Sequence, residues 1–457
     1  MPYPLRPLLC LFGLTCCVAC ASPQPATDAT ASGQPGERRF TNPASGLDLV
    51  LGRSLFERIW VSAPASTQAA DGLGPLYNAR ACSQCHTGDA RLRPPVPSHR
   101  GTPALVMRAG RVASLDDPKE STRGAPRPDP VYGAQMQPLA IGGHDAEFRL
   151  AVHYTSEVVQ FADGTSAELR RPRYTVEDLG YGPLHPDTRL SPRIAPPLIG
   201  LGLLEAVDER DILARADPDD RDGDGISGRP NRVVDDRTGK TVLGRFGHKA
   251  GSPSVNQQVQ QAFARDLGIA VPLYPDGAGD CTAYQLACRR APHGKSPQHG
   301  ELEADDQVVD LVSLYARRLA VPARPITEDP VVDAGRRLFG QIGCDACHTP
   351  HLHAPAQHGG PTSPAYSDLL LHDLGEDLAD GLVEGGAGGR EWRTAPLWGI
   401  GLSIADGRQR GYLHDGRARS PLEAVLWHGG EAQRQRDAVV ALSTEQRNQL
   451  IKFVESL

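Results

Sequence analysis

The chain has 457 residues, a net charge of −7 and a pI near 6.1, and no Lys/Arg-rich run breaks its length. That balance excludes a nucleic-acid partner held on a basic face. Gly (49) and Pro (40) are abundant and aromatics make up 5%, so a loop-rich fold of two or three domains is expected.

Residues 1–21 read as an export signal: Arg6 is the only early charge, an apolar run extends from Leu8 to Ala19, and Ala19-Cys20-Ala21 fits a small-residue cleavage site. At about 12 residues the run is too short to cross a bilayer as a helix. Cys20 is an alternative lipid-anchor position, although Cys17 stands where such a signal would carry Leu. Residues 22–45 are rich in Pro, Gly, Ser and Thr and read as a disordered tether.

A repeat begins after the tether. Gly52-Arg53-Ser54-Leu55-Phe56 precedes Cys82-Ser83-Gln84-Cys85-His86, and Gly335-Arg336-Arg337-Leu338-Phe339 precedes Cys344-Asp345-Ala346-Cys347-His348. With 10 Cys and 15 His in the chain, chance predicts only about 0.01 Cys-x-x-Cys-His matches. A zinc site needs two ligand pairs, and a redox dithiol needs no adjacent His. Covalent c-type haem uses all three residues: two thiols for the vinyl groups and an imidazole under the iron. The expected cofactors are therefore two haem c groups held by Cys82, Cys85, Cys344 and Cys347, with His86 and His348 as proximal ligands. Export agrees, because this chemistry is completed outside the cytoplasm; the expected location is the periplasm, free or lipid-anchored.

Each motif is followed by an amphipathic helix: Val308, Leu311, Val312, Tyr315 and Leu319 after the first, and Leu450, Ile451, Val454 and Leu457 after the second, where Ser443 and Gln446 form a capping box. The expected fold is mainly α, with a cytochrome c-like domain at 46–325 and another at 326–457. The first carries a long insertion with minor β structure, signalled by His153–Phe161 and the turn at Asp163-Gly164. In the insertion, Asp220, Asp222 and Asp224 fit the opening of a calcium loop, with Asn231 at the twelfth position in place of Glu. Cys281 and Cys288, seven apart, are expected to form a local disulfide, with buried thiols as the alternative.

The sixth ligands decide function, because an iron with two strong ligands passes electrons and an accessible one meets small molecules. Apart from Met1 the chain has only Met107 and Met136, so the second motif has no Met of its own. His428 is its candidate: Ser420-Pro421-Leu422-Glu423 starts a short helix that Gly429-Gly430 ends. His414 is the runner-up, and His351, His353, His358 and His372 also lie in this half. For the first motif the ligand candidates are His99, His144, Met107 and Met136. Gln135, Gln137, Glu147 and Glu205 are acid–base candidates; Gln135 and Glu205 are singled out as catalytic, Glu205 because it ends the apolar run 195–204.

These residues resemble a family. The two CxxCH modules, GRxLF before each, and Thr394-Ala395-Pro396 leading to Tyr412-Leu413-His414-Asp415-Gly416 look like the bacterial di-haem cytochrome c peroxidases and the methylamine-utilisation di-haem enzyme. GLGPLYNARACSQCH (72–86), ADPDDRDGDGISGRPNRV (216–233), RFGHKAG (245–251), LLLHDLGEDLADG (369–381) and LHDGRARSPLEAVLWHGGEA (413–432) are more similar to the larger di-haem oxidoreductases, also called thiol oxidoreductases. The resemblance implies an exported two-domain α protein with one haem per domain and an inter-domain calcium. It also implies a C-terminal haem that takes electrons from a small soluble electron-transfer protein and an N-terminal haem that meets hydrogen peroxide or another small oxidant. His428 stands where the peroxidases carry a Met, which implies a lower potential. The alternative is a pure electron-transfer cytochrome.

Matured in a host that attaches c-type haem, the chain should gain two haem masses. Replacing Cys344 and Cys347 by Ala should remove one of them, as read by intact mass; a colourless protein would refute the clamp reading.

Overall fold

Helix α1 (Leu47–Glu57) is followed by strands β1 (Leu105–Arg111), β2 (Gln135–Met136), β3 (Arg149–Gln160), β4 (Ser166–Glu177) and β5 (Thr188–Ile194). Helices α2 (Leu201–Ala206), α3 (Val255–Asp266), α4 (Asp306–Arg317) and α5 (Pro330–Ile342) come next. Strands β6 (Leu371–Asp373) and β7 (Glu391–Arg393) precede α6 (Pro421–Leu426), α7 (Gln433–Ala441) and α8 (Thr444–Glu455). The computed structural model describes residues 46–67, 69–86, 105–111, 127–322, 328–353, 365–401 and 411–457. The expected signal, tether and anchor Cys20, together with His99 and His358, lie outside the described residues.

The repeat is a pair of helix crossings. A methyl group built on Gly52 would overlap the Leu311 carbonyl of α4 and lie 3.1 Å from Tyr315 Cβ. On Gly335 it would overlap the Gln449 carbonyl of α8 and lie 2.7 Å from Phe453 Cβ. One turn further on, Phe56 meets Tyr315 with ring centroids 5.1 Å apart, and Phe339 meets Phe453 at 5.3 Å. The caps are those the sequence announces: Ser443 and Gln446 form both bonds of a capping box, and Ser420 accepts from the Glu423 N–H.

Strand content exceeds the expectation of minor β structure: the chain is about 30% helical and 22% strand. Most of the difference is the hairpin of β3 and β4, 12 residues each, paired without a break from Arg149↔Glu177 to Gln160↔Ser166. Only its tip and two thirds of one strand showed the β pattern in sequence. The hairpin turns at Gly164 (φ 83°) and plants Phe161 and Leu169 in the core built by Phe339, Trp427, Leu450 and Phe453. Burying a ring such as Phe161 contributes roughly 1.5–3 kcal/mol. The Arg447 guanidinium lies 3.7 Å over that ring and is held by Asp163 at 2.9 Å, so the hairpin is bolted to α8.

The three-stranded sheet is antiparallel, in the order β2-β1-β5. Alternation sends Leu105, Met107 and Ala109 into a sealed core with Met136 and Phe148, and turns Val106 and Arg108 to the opposite side.

Gly335→Ala should lower stability by about 1–3 kcal/mol, because the crossing has no space for a methyl group. Gly340→Ala in the same helix, whose new carbon meets nothing nearer than Asp345 Oδ2 at 3.4 Å, should be neutral or mildly stabilising. Thermal unfolding of the two variants checks the contrast.

Candidate functional site

An internal cavity of about 580 Å³ reaches both CxxCH motifs, with Cys82, Cys85 and His86 on its wall at one end and Cys344, Cys347 and His348 at the other. All four motif cysteines are thiols, and Cys281 is joined to Cys288, so the motifs hold the only thiols among the described residues. Burial drives the Cys85, Cys344 and Cys347 thiols up, Cys344 to about 12, and Cys85 is also raised by Asp266. Such thiols are protected from ionisation in the folded state.

At the second motif two imidazoles have their tautomers fixed by carbonyls. His348 Nδ1 donates to the Tyr366 carbonyl at 2.9 Å, and His428 Nδ1 donates to the Ala424 carbonyl at 2.6 Å. A carbonyl only accepts, so each Nδ1 carries the proton and each Nε2 keeps its lone pair. Burial, and next to it the nearness of His428, pushes His348 down to about 4; burial lowers His428 as well. Both rings are therefore neutral, both face the same cavity, and His428 is close enough to depress the charge of His348. Tyr366 reaches His348 through a left-handed backbone (φ 51°), a conformation that costs an L-residue roughly 1–2 kcal/mol. Phe339 flanks His348 at 6.5 Å, as Phe56 flanks His86 at 6.3 Å.

Among the described residues, the other histidines of this half have different surroundings. His372 donates from Nε2 to Asp368 and from Nδ1 to Glu431, both at 2.8 Å, an arrangement that requires the imidazolium. Burial opposes the charge, but the bonds to Asp368, Cys347 and Glu431 outweigh it and drive His372 well up. His414 stacks on Trp392 at 3.9 Å and 8°, and burial pushes it down to about 3. His353 is exposed beside Asp211, and the backbone carbonyl of His351 accepts from Arg215.

The first motif is surrounded differently. Met107 and Met136, both fully buried in the sheet core, are not on the cavity wall, and neither is His144. Gln135 is on the wall, and its Nε2 donates to Asp266 Oδ1 at 2.6 Å. Burial raises Asp266 against the opposing effects of Gln135, Arg108 and Arg265. Glu205 is turned away: it pairs with Arg317 at 2.5 Å and accepts from the Val255 N–H at 2.8 Å, joining α2, α3 and α4. The apolar run before it does line the cavity, through Ile199, Leu201 and Leu204, but Glu205 leaves on another side of the helix. Gln137 and Glu147 are buried behind the wall, where Glu147, raised to about 8 by burial, holds Gln285 and the Gln137 N–H.

Sequence reasoning did not find Arg108, Asp266, His248 or Trp392, all on the cavity wall. Their place comes from strand register and long-range packing, which no local spacing encodes. In the acidic loop, oxygens of Asp220, Asp222 and Asp224 converge within 4.8 Å. Asn231 does not close that loop; it is buried, its Nδ2 donating to the carbonyls of Lys249 and Glu384.

The donor set fits a pair of covalent haems: two reduced thiols and one imidazole at each end of a shared cavity, and a second neutral imidazole at one end. A family model described as "Di-haem oxidoreductase, putative peroxidase" matches residues 24–457. Among solved structures, a chain of Kuenenia stuttgartiensis hydrazine synthase, pressurised with xenon, is similar at 15% identity and a TM-score of 0.23, over 39% of this chain and 63% of its own length. This chain thus spans less than two thirds of that one, and no curated protein matches.

His428→Ala in the holoprotein should convert one haem from low to high spin in the resonance Raman spectrum, and His414→Ala should leave both spin states unchanged. An unaltered spectrum for His428→Ala would reject it as a ligand.

Proposed function

The chain belongs to the di-haem oxidoreductase family, and on that premise we propose that it is an exported, peroxidase-like enzyme with one haem bound covalently at each CxxCH motif. The observation that carries this reading is the inequality of the two ends of the cavity. At one end His428 faces His348; at the other, neither methionine reaches the wall and a Gln135–Asp266 pair does.

When bound, the two haems supply one-electron transfer and peroxide chemistry. The chain's own residues do the rest. The thiols of Cys82, Cys85, Cys344 and Cys347 would anchor the groups, and His86 and His348 would each supply an iron ligand. His348 and His428, each with Nδ1 locked to a carbonyl, hold their lone pairs toward the cavity and favour electron relay at that end. At the other end Asp266 holds a proton more readily than an exposed carboxyl, and Gln135 fixes its orientation. Glu205, tied to Arg317, supports the scaffold in this reading, and Gln135 acts through Asp266. The apolar stretch with Ile199, Leu201 and Leu204 limits water at the wall. Electrons come from a small soluble electron-transfer protein.

The test is stopped-flow mixing of reduced holoprotein with hydrogen peroxide in the presence of a reduced small cytochrome. Peroxide-dependent oxidation of the donor is expected, and Asp266→Asn should slow it about 100-fold or more. Two haems that keep unchanged spectra in peroxide would instead make the chain an electron-transfer cytochrome without a catalytic site.

A further inference from the structure

We propose that Arg108 receives a carboxylate inside the cavity, supplied either by a propionate of the haem at Cys82–His86 or by a free small acid. Strand alternation gives the side chain its direction. Met107 enters the sealed core, and Arg108, one residue on, faces the cavity opposite Gln135 in the β1–β2 register. The side chain is half-buried on the cavity wall, and its Nε is fully buried yet has no hydrogen-bond partner. Buried guanidinium N–H groups are almost always bonded, and leaving one unmet carries the full cost of its desolvation.

Two other cavity arginines, Arg193 and Arg393, show what satisfaction looks like here, whereas Arg436 on the same wall shares the unmet Nε. Arg193 is held by Asp380 at 3.0 Å and Glu384 at 2.7 Å. Arg393 donates to the carbonyls of Gly247 at 3.0 Å and Thr394 at 3.2 Å. The carboxylates near Arg108 are engaged with other groups. Asp280 accepts from the N–H groups of Ala134 at 2.6 Å and Gln135 at 3.0 Å, Asp266 is bonded by Gln135, and Glu384 is ion-paired with Arg193, although its Oε1 accepts no hydrogen bond. Glu384 and Asp280 attract Arg108 through space, Arg265 and Arg193 repel it, and burial brings it down to about 10, so it stays charged near neutrality. A charged planar fork with spare donors, walled in beside the first motif, matches a carboxylate's two oxygens.

The propionate source rests on the proposed haem at Cys82–His86; the free-acid source does not. A protein without that haem would show the loss in a haemochrome assay, separating failure of the haem reading from failure of this one. The experiment uses two-haem holoprotein, Arg108→Met and Arg108→Lys, with formate as the free-acid probe. If a propionate is the ligand, Arg108→Met lowers the potential of the first-motif haem and shifts its propionate bending mode in the Raman spectrum. Arg108→Lys then restores most of the potential, and formate does nothing to either. If a free acid is the ligand, formate perturbs the wild-type Soret band saturably, Arg108→Met weakens that binding at least roughly tenfold, and the potentials without formate are unchanged. Wild-type potentials, propionate mode and formate response in a two-haem Arg108→Met protein would overturn the proposal. Should Arg108→Met yield no holoprotein, the same three wild-type values in Arg108→Lys, whose point charge cannot form the bidentate pair, would overturn it instead.

Discussion

At Gly52 and Gly335 two helices pass so closely that one more carbon has nowhere to go. Everything around the two motifs depends on that approach. A residue four places further along a helix lies on the same face, one turn away, so the glycine fixes where the following phenylalanine lands. Phe56 and Phe339 then pack between the closing helix and the imidazole of His86 or His348. A larger residue at either glycine would lift the helix and move the ring that backs the imidazole. The motif GRxLF is thus a packing instruction whose consequence appears at the cavity wall.

On this shared frame the two ends of the cavity differ in what surrounds the imidazole. The second end is closed by aromatic rings and by carbonyls that fix the tautomers of His348 and His428. The first end opens onto strands β1 and β2, whose cavity side presents Arg108 and Gln135. Between them lies an ionic core that is unusual for its depth. Lys249 has no exposed side-chain surface, and its three donors meet Asp380, the Leu382 carbonyl and the Gly388 carbonyl, each at 2.8 Å. The Trp392 ring lies 4.5 Å from the same ammonium and stacks on His414. A charge so placed is tolerated only because every donor is met, and it holds β7 and its tryptophan in one position.

Local grammar was legible in the sequence and long-range geometry was not. The repeated helix, the cap at Ser443, the turn at Gly164 and the Cys281–Cys288 pair each depend on residues a few positions apart, and each is present. The reach of the β3–β4 hairpin depends on Phe161 meeting Phe339 and Trp427, residues far away in the chain, so the strands read as a minor element. Glu205 looked like an acid poised beside an apolar run; its partner Arg317 is more than one hundred residues distant and could not be anticipated. His428 was recognisable because a capped helix and a double glycine frame it. Asp266 and Arg108 were invisible for the opposite reason, since only strand pairing and the packing of α3 bring them to the first motif.

The account turns on two irons with unequal coordination. Near-infrared magnetic circular dichroism of the fully oxidised holoprotein reads axial ligation directly, because bis-imidazole, imidazole–thioether and high-spin ferric haem give separate signals. One bis-imidazole low-spin haem and one haem lacking a second strong protein ligand are predicted. An imidazole–thioether signal, or two low-spin haems of the same kind, would contradict the account.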